Sequence, residues 1–85
     1  MTTWRIEIES EMRTHGEDGT DVVGCTLSDE ALDTEFDDQS GGTEGKAFTV
    51  WTAARVYFPA MYDGAEWVAS VPRNPCNEAT EHVGG

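Results

Sequence analysis

The chain has 85 residues, with 17 Asp and Glu against 5 Lys and Arg, and a formal net charge of -12. Five scattered cations cannot form the basic patch that DNA, RNA or an anionic membrane requires, so direct binding to these partners is excluded. Hydrophobic residues make up 38%, enough for the core of a single domain over residues 1–85. Neither a run of about 18 apolar residues nor a basic segment leading into an apolar one is present, so we expect no membrane span, no signal peptide and a cytoplasmic location.

Two strands are predicted near the N-terminus. Residues 4–9 alternate between apolar and polar side chains, which is the period of a strand that buries one face. The predicted buried face consists of Trp4, Ile6 and Ile8. A polar stretch with two glycines follows as a loop, and a second short strand is predicted over residues 22–27.

One short helix is predicted over residues 29–37. Ser28 is suited to the N-cap position, and acids in the first turn suit the positive end of the helix dipole. Leu27 before the cap can pack on Leu32 inside the helix, and Phe36 lies one turn further along the same side. The helix is too short to persist alone, so we expect it to pack on a sheet.

The second half of the chain predicts a β-meander. A glycine-rich, flexible loop is expected over residues 37–46, and a turn is expected where Asp63 precedes Gly64. Pro59 is expected to end the second strand of the meander or to place it at an edge. Strands are predicted over residues 48–52, 55–58 and 66–71.

These elements together predict an α+β fold. We expect a small antiparallel β-sheet of about four or five strands, with one short helix packed on one face. The C-terminal tail over residues 76–85 is expected to be mobile, because it follows two prolines and ends in two glycines.

No residue is assigned to catalysis, and no cofactor or metal is predicted. No serine lies in a nucleophile motif, and a domain of this size has little room for a cleft that raises a carboxyl pKa. Structural zinc sites bring their ligands in close pairs, a spacing that His15, Cys25, Cys76 and His82 lack. Both cysteines are interpreted as free, partly buried thiols. We therefore expect that the protein is not an enzyme.

The distribution of acids is the feature with mechanistic content. Thirteen of the 17 acids lie between Glu7 and Glu44. On the predicted helix, acids recur every four residues, about 6 Å apart, a spacing comparable with that of phosphates along a DNA strand. The alternative is a solvated helix face that only confers solubility. The candidate partner-binding residues are Asp29, Glu30, Asp33, Asp37 and Asp38 on the helix and after it, with Glu7 and Glu9 on the first strand.

The second half also carries a resemblance. The segments Thr49–Pro59, Tyr62–Val68 and Val71–Pro75 are similar to small proteins of bacteriophages and prophages. Size, acidity and the α+β pattern resemble phage-encoded anti-CRISPR proteins, several of which mimic nucleic acid. The resemblance implies an inhibitor in the cytoplasm of a bacterial host, directed at a nucleic-acid-binding protein or complex. A CRISPR surveillance complex is the implied target, and the acidic face would occupy its basic channel.

An accessory or structural phage protein is the alternative. In that hypothesis the aromatic β-meander binds a protein partner through Trp51, Tyr57, Tyr62 and Trp67, since Trp and Tyr are typical interface anchors. Core packing is the competing interpretation of the aromatic residues, and we favour it for Trp67 and Phe58. A homodimer that forms through an exposed edge of the sheet is a further alternative.

Overall fold

The computed structural model describes residues 1–84 and confirms the predicted α+β class, with a four-stranded antiparallel sheet. Two helices and a short 310 turn at Gly19–Asp21 accompany the sheet. The helices are α1 (Trp4–Thr14) and α2 (Asp29–Leu32), and the strands are β1 (Val22–Cys25), β2 (Val50–Thr52), β3 (Arg55–Tyr62) and β4 (Ala65–Pro72).

The strand predicted over residues 4–9 is wrong, because this region forms the N-terminal half of α1. Thr3 caps the helix, and its hydroxyl accepts a hydrogen bond from the Ile6 amide at 3.2 Å. The buried side chains are Trp4, Ile8 and Met12, which are spaced by four residues, whereas Ile6 is 56% exposed. The helical period therefore extends across eleven residues and prevails over an alternation that spans only six.

The helix predicted over residues 29–37 is confirmed only in its first turn. Ser28 caps α2 as predicted, with its hydroxyl accepting from the Ala31 amide at 3.1 Å. The chain leaves the helix after Leu32 because Phe36 instead pairs with Thr2 through two backbone hydrogen bonds, of 2.9 and 3.0 Å. Leu32 and Phe36 are nonetheless both buried, so the predicted apolar stripe holds without the helix.

The four strands follow each other in chain order, each antiparallel to its neighbour. The predicted meander is confirmed, but β3 continues through Pro59 instead of ending there. Pro59 is opposite Val68, whose own amide faces away from β3. The position of the missing proline amide therefore faces the β2 side of β3, beyond the last β2–β3 pair at Val50 and Tyr57, where it disrupts no ladder.

The hairpin between β3 and β4 turns at Asp63 and Gly64, as predicted. Both residues have positive φ, 52° and 82°, the conformation that a two-residue turn of type I′ requires. Gly64 also lies against the backbone of Gly41, so the loop after α2 is seated against this turn.

The core lies between one face of the sheet and the helices. Trp4 is at its centre, with its ring centroid 4.6 Å from that of Phe36 and 4.8 Å from that of Phe48. Its indole N–H donates to the Lys46 carbonyl at 2.9 Å. The buried residues of the core are Trp4, Ile8, Met12, Leu32, Phe36, Phe48, Val50, Tyr57 and Val68.

The opposite face of the sheet carries none of these core residues. We call it the open sheet face; it is formed by Gly24, Trp51, Val56, Phe58, Ala60, Tyr62, Ala65, Trp67, Ala69 and Val71. Tyr62 is exposed, and the other large side chains on this face are half-buried. Core packing was predicted for Trp67 and Phe58 and is wrong, because the strand period places both on the open sheet face.

Candidate functional site

Two of the predicted binding acids form an ion-paired cluster around a cation of α1. The Arg5 guanidinium donates to Asp33 at 2.6 Å and to Asp29 at 3.2 Å. Hydrogen bonding to Asp33, and secondarily to Asp29, raises the pKa of Arg5 above its ordinary value. The expected row of acids along one helix does not form, because α2 ends at Leu32.

Glu7 and Glu9 lie on α1 instead of sharing one face of a strand. Residues two apart on a helix do not face each other, so the structure separates the two carboxylates. Glu7 accepts a hydrogen bond from the Thr2 hydroxyl at 2.7 Å. Glu9 lines a cavity of about 200 Å³ together with Arg5 and Asp29.

The remaining predicted residues lie in or after α2 and have different surroundings. The Glu30 side chain is exposed. Asp37 accepts a hydrogen bond from the backbone amide of Gln39 at 3.0 Å. Asp38 is half-buried, and its backbone carbonyl accepts from the Glu66 amide at 2.9 Å, which ties this point of the chain to β4.

Residues 29–44 form what we call the acidic segment. It contains seven acids and no Lys, Arg or His. Beyond α2 the segment contains neither a helix nor a β-strand. Its one β-bridge is the isolated antiparallel pair of Phe36 and Thr2. Its seven acids are Asp29, Glu30, Asp33, Glu35, Asp37, Asp38 and Glu44, of which all but Asp38 are exposed.

Glu66 anchors the far end of the acidic segment and was not predicted to have a role. Glu66 is 4% exposed, and its carboxylate accepts hydrogen bonds from the backbone amides of Glu44, at 2.8 Å, and Gly45, at 3.1 Å. A Cβ at Gly45 would lie 2.5 Å from the Trp4 ring, so glycine is required for this close approach. No signal in the sequence pointed to Glu66, because the core packing predicted for Trp67 places Glu66 on the outward face of the same strand.

The unpaired carboxylates of the acidic segment give it its negative character. Within residues 1–84, the side chains of Glu30, Glu35 and Glu44 make no hydrogen bond or ion pair. Arg5 is the one cation that pairs with the segment in this part of the chain, and it balances one of the two charges on Asp29 and Asp33. A surface of this composition attracts cationic groups and repels phosphate.

A second polar cluster, also not predicted, joins α1 and the loop after it to the sheet. The Tyr57 and Thr52 hydroxyls donate to Glu17, and the Ser70 hydroxyl donates to Glu11 at 2.9 Å. Burial, followed by the hydrogen bond with Glu17, raises the pKa of the Tyr57 phenol above its ordinary value. Because these carboxylates accept hydrogen bonds from side chains of the sheet, they stabilise the fold and contribute little to an acidic surface.

The same cluster anchors the tail. Arg55 donates to both carboxylate oxygens of Glu78, at 2.9 and 3.0 Å, and the Arg55 side chain is only 9% exposed. Bidentate pairing of this kind fixes geometry as well as charge. The predicted mobile tail is thus attached at Glu78, and its last residue, Gly85, lies outside the described residues.

We expect the tail to detach in acid. Hydrogen bonding to Arg55 lowers the pKa of Glu78 below its ordinary value of 4.5. A lowered pKa means that the contact stabilises the folded tail above pH 4.5 and is lost as the pH falls through the lower, folded-state value. The backbone order parameters of residues 76–84, measured by NMR relaxation, should therefore fall below pH 4.5. Glu78→Gln should have the lower order parameters already at neutral pH, and a tail that behaves identically in both proteins would contradict this assignment.

Residues 1–84 contain no group of three His, Cys, Asp or Glu side chains placed to hold a metal ion. Cys25 and Cys76 are free thiols, the first half-buried and the second exposed. In the same part of the chain, no helix has both the length and the apolar character needed to cross a membrane.

Comparisons with known proteins add no further constraint. No protein-family model, no curated protein and no solved structure matches this chain.

Proposed function

We propose that this protein is a phage-encoded inhibitory binding protein of the anti-CRISPR type. It blocks a nucleoprotein complex of host defence, with a CRISPR surveillance complex as the target class. The acidic segment occupies the basic channel in which that complex holds nucleic acid. The protein acts in the cytoplasm of the host cell and itself binds neither nucleic acid nor a membrane.

The observation that carries this proposal is the concentration of exposed carboxylates in the acidic segment. Six of its seven acids are exposed, and the segment contains no cation. Repulsion among crowded like charges destabilises a small domain, and a channel lined with Lys and Arg relieves that repulsion on binding. Complementary charge also accelerates diffusional encounter, particularly at low salt.

The contacts within the segment change which acids matter most. Asp29 and Asp33 are already engaged by Arg5, so a basic partner has to compete for them. Glu30, Glu35 and Glu44 face no such competition within the described residues. In this proposal they make the first electrostatic contacts, and Asp37 extends the same surface.

An accessory phage protein that binds a partner through aromatic residues is the second candidate function. The open sheet face favours it, since Trp51 and Trp67 are half-buried there and Tyr62 is 60% exposed. Tyr57 belongs to the core, with 0% exposure, and is removed from that candidate surface.

Association with a purified CRISPR surveillance complex, measured by biolayer interferometry at low salt, tests the proposal. We expect Glu30→Gln/Glu35→Gln to associate about three- to tenfold more slowly than the natural chain, because rim charges act mainly on the association rate. Arg5→Met should have the opposite effect, about a twofold acceleration, because it releases Asp29 and Asp33.

The matched control is Asp63→Asn/Glu81→Gln, which alters exposed acids outside the acidic segment. Both double variants change the net charge from -12 to -10. Equal slowing by the two pairs would mean that only total charge matters, and the acidic segment would lose its assigned role. No association of the natural chain with any complex that binds nucleic acid would overturn the proposed function itself.

A further inference from the structure

The open sheet face is uncharged in a chain that is otherwise densely charged. None of its ten positions is Asp, Glu, Lys, Arg or His, although 26% of all residues are charged. Trp51, Val56 and Val71 form a continuous row across β2, β3 and β4. The Trp51 ring also lies over Gly24, so the row reaches β1.

The size of this face suits a small but specific interface. Strand spacing of about 4.8 Å and a rise of about 3.3 Å per residue give it an area of roughly 400 to 500 Å². Two such faces packed together bury roughly 800 to 1,000 Å², which reaches the lower bound of about 1,000 Å² for a specific protein–protein contact only at its upper end. The aromatic side chains on it, Trp51, Phe58, Tyr62 and Trp67, are the kind that dominate interface energies.

We propose that two copies of this chain pack against each other through their open sheet faces. In a two-fold symmetric interface each patch meets its own copy, so an acid near the axis on this face would approach the same acid of the partner. A face without charges is what self-association requires in a chain of net charge -12. A basic partner of another kind would instead favour acids on the docking face.

Pairing through the sheet edges is disfavoured in comparison. At one edge, β1 has only four residues and a register shift between Val22 and Gly24. At the other edge, the Asp38 carbonyl accepts a hydrogen bond from the Glu66 amide. Tail residues 79–83 line a groove along β4 together with Trp67 and Ala69 from the rim of the open sheet face. Irregular or covered edges resist pairing, whereas two sheets can stack face to face at about 10 Å.

The dimer leaves the acidic segments free. Glu66, which anchors the segment, is opposite Met61 and next but one to Val68, on the core side of the sheet. Face-to-face packing therefore places the two acidic segments on the outer sides of the dimer, where each can meet a basic partner. The dimer stands independently of the proposed function, because it depends only on the open sheet face.

Sedimentation velocity of the purified chain over a range of concentrations tests the dimer. An interface of this size is expected to dissociate on the order of 10 µM. Raising the salt concentration from about 50 mM to about 500 mM should tighten the dimer, since it screens repulsion between the two acidic copies. Binding to a basic partner should weaken over the same range, so the two interactions have opposite salt dependence.

Val56→Lys places a charge in the middle of the face and should weaken the dimer about tenfold or more. Ile6→Lys is the matched control, because Ile6 is an exposed apolar residue on α1 and away from the sheet. Tryptophan emission of the natural chain should shift to the blue with concentration, since Trp51 and Trp67 are half-buried on the open face. A chain that stays monomeric up to hundreds of micromolar at both salts, or a dimer equally weakened by Ile6→Lys, would overturn the proposal. If the natural chain does not dimerise and Val56→Lys instead loses binding to a different protein, the face belongs to that protein. This outcome would also overturn the proposed dimer.

Discussion

A chain carrying Trp4→Ala is expected to lose a large part of its unfolding free energy. Trp4 is 2% exposed, and its ring contacts Phe36 of the acidic segment and Phe48 ahead of β2. Removing a buried tryptophan costs about 3–5 kcal/mol of unfolding free energy. A domain of this length has a total stability of about 4–13 kcal/mol, so the substitution removes between roughly a quarter and all of it. Urea denaturation followed by circular dichroism measures the change.

Trp4→Phe separates the contribution of the ring from that of its hydrogen bond. Phenylalanine fills most of the cavity but leaves the Lys46 carbonyl without the indole donor. We expect a smaller loss, about 1–2 kcal/mol. Ile6→Ala, on the solvent side of the same helix, should change stability by less than about 0.5 kcal/mol. A Trp4→Ala chain with the same unfolding free energy as the natural chain would show that the core does not depend on this residue.

Glu66→Gln is expected to lower the unfolding free energy and to release one end of the acidic segment. The carboxylate accepts two backbone amides at a site that is 4% exposed, whereas a glutamine side chain offers one acceptor oxygen and presents an NH₂ group to the other donor. Leaving a buried donor unpaired costs about 1–3 kcal/mol. Thermal denaturation gives the loss of stability, and amide exchange at Glu44 and Gly45 gives the local release.

The matched control for this change is Glu44→Gln. It makes the same chemical substitution on an exposed side chain whose backbone, and not its carboxylate, contacts Glu66. It should leave both the melting temperature and the exchange of Gly45 within error of the natural chain. If Glu66→Gln proves equally silent, the buried carboxylate does not anchor the segment.

The β-meander could be predicted because its signals are local. Alternating apolar residues and a turn at Asp63 and Gly64 each act within a few positions, and both agree with the observed hairpin. The signal at Pro59 was misleading, because β3 continues through this residue. The cap at Ser28 was predictable for the same reason. The start of α1 was not, because residues 4–9 satisfy the period of a strand and most of the period of a helix at once. The later buried residue Met12 decides for the helix.

The surface that acids form could not be predicted from their number. Glu11 and Glu17 accept hydrogen bonds from sheet hydroxyls, Glu78 pairs with Arg55, and Glu66 is buried. The contacts of these four acids join residues far apart in the chain, so no local sequence pattern predicts them. Acid spacing along a helix predicted a row over residues 29–37, but the contact between Phe36 and Thr2 ends that helix early. The observed feature is a segment of the chain that is rich in exposed carboxylates, and tertiary contacts determine its position.

Competition with DNA for a host complex tests the central claim most directly. The tagged chain is used to capture proteins from a lysate of a bacterial host with active defence systems, and mass spectrometry identifies what is recovered at about 50 mM and about 300 mM salt. The captured material is then challenged with duplex DNA. We predict recovery of a nucleic-acid-binding defence complex that decreases at the higher salt and is released by DNA. The proposed function would be contradicted if the amount of complex recovered changed neither with salt nor with DNA. Recovery of virion proteins alone would contradict it as well.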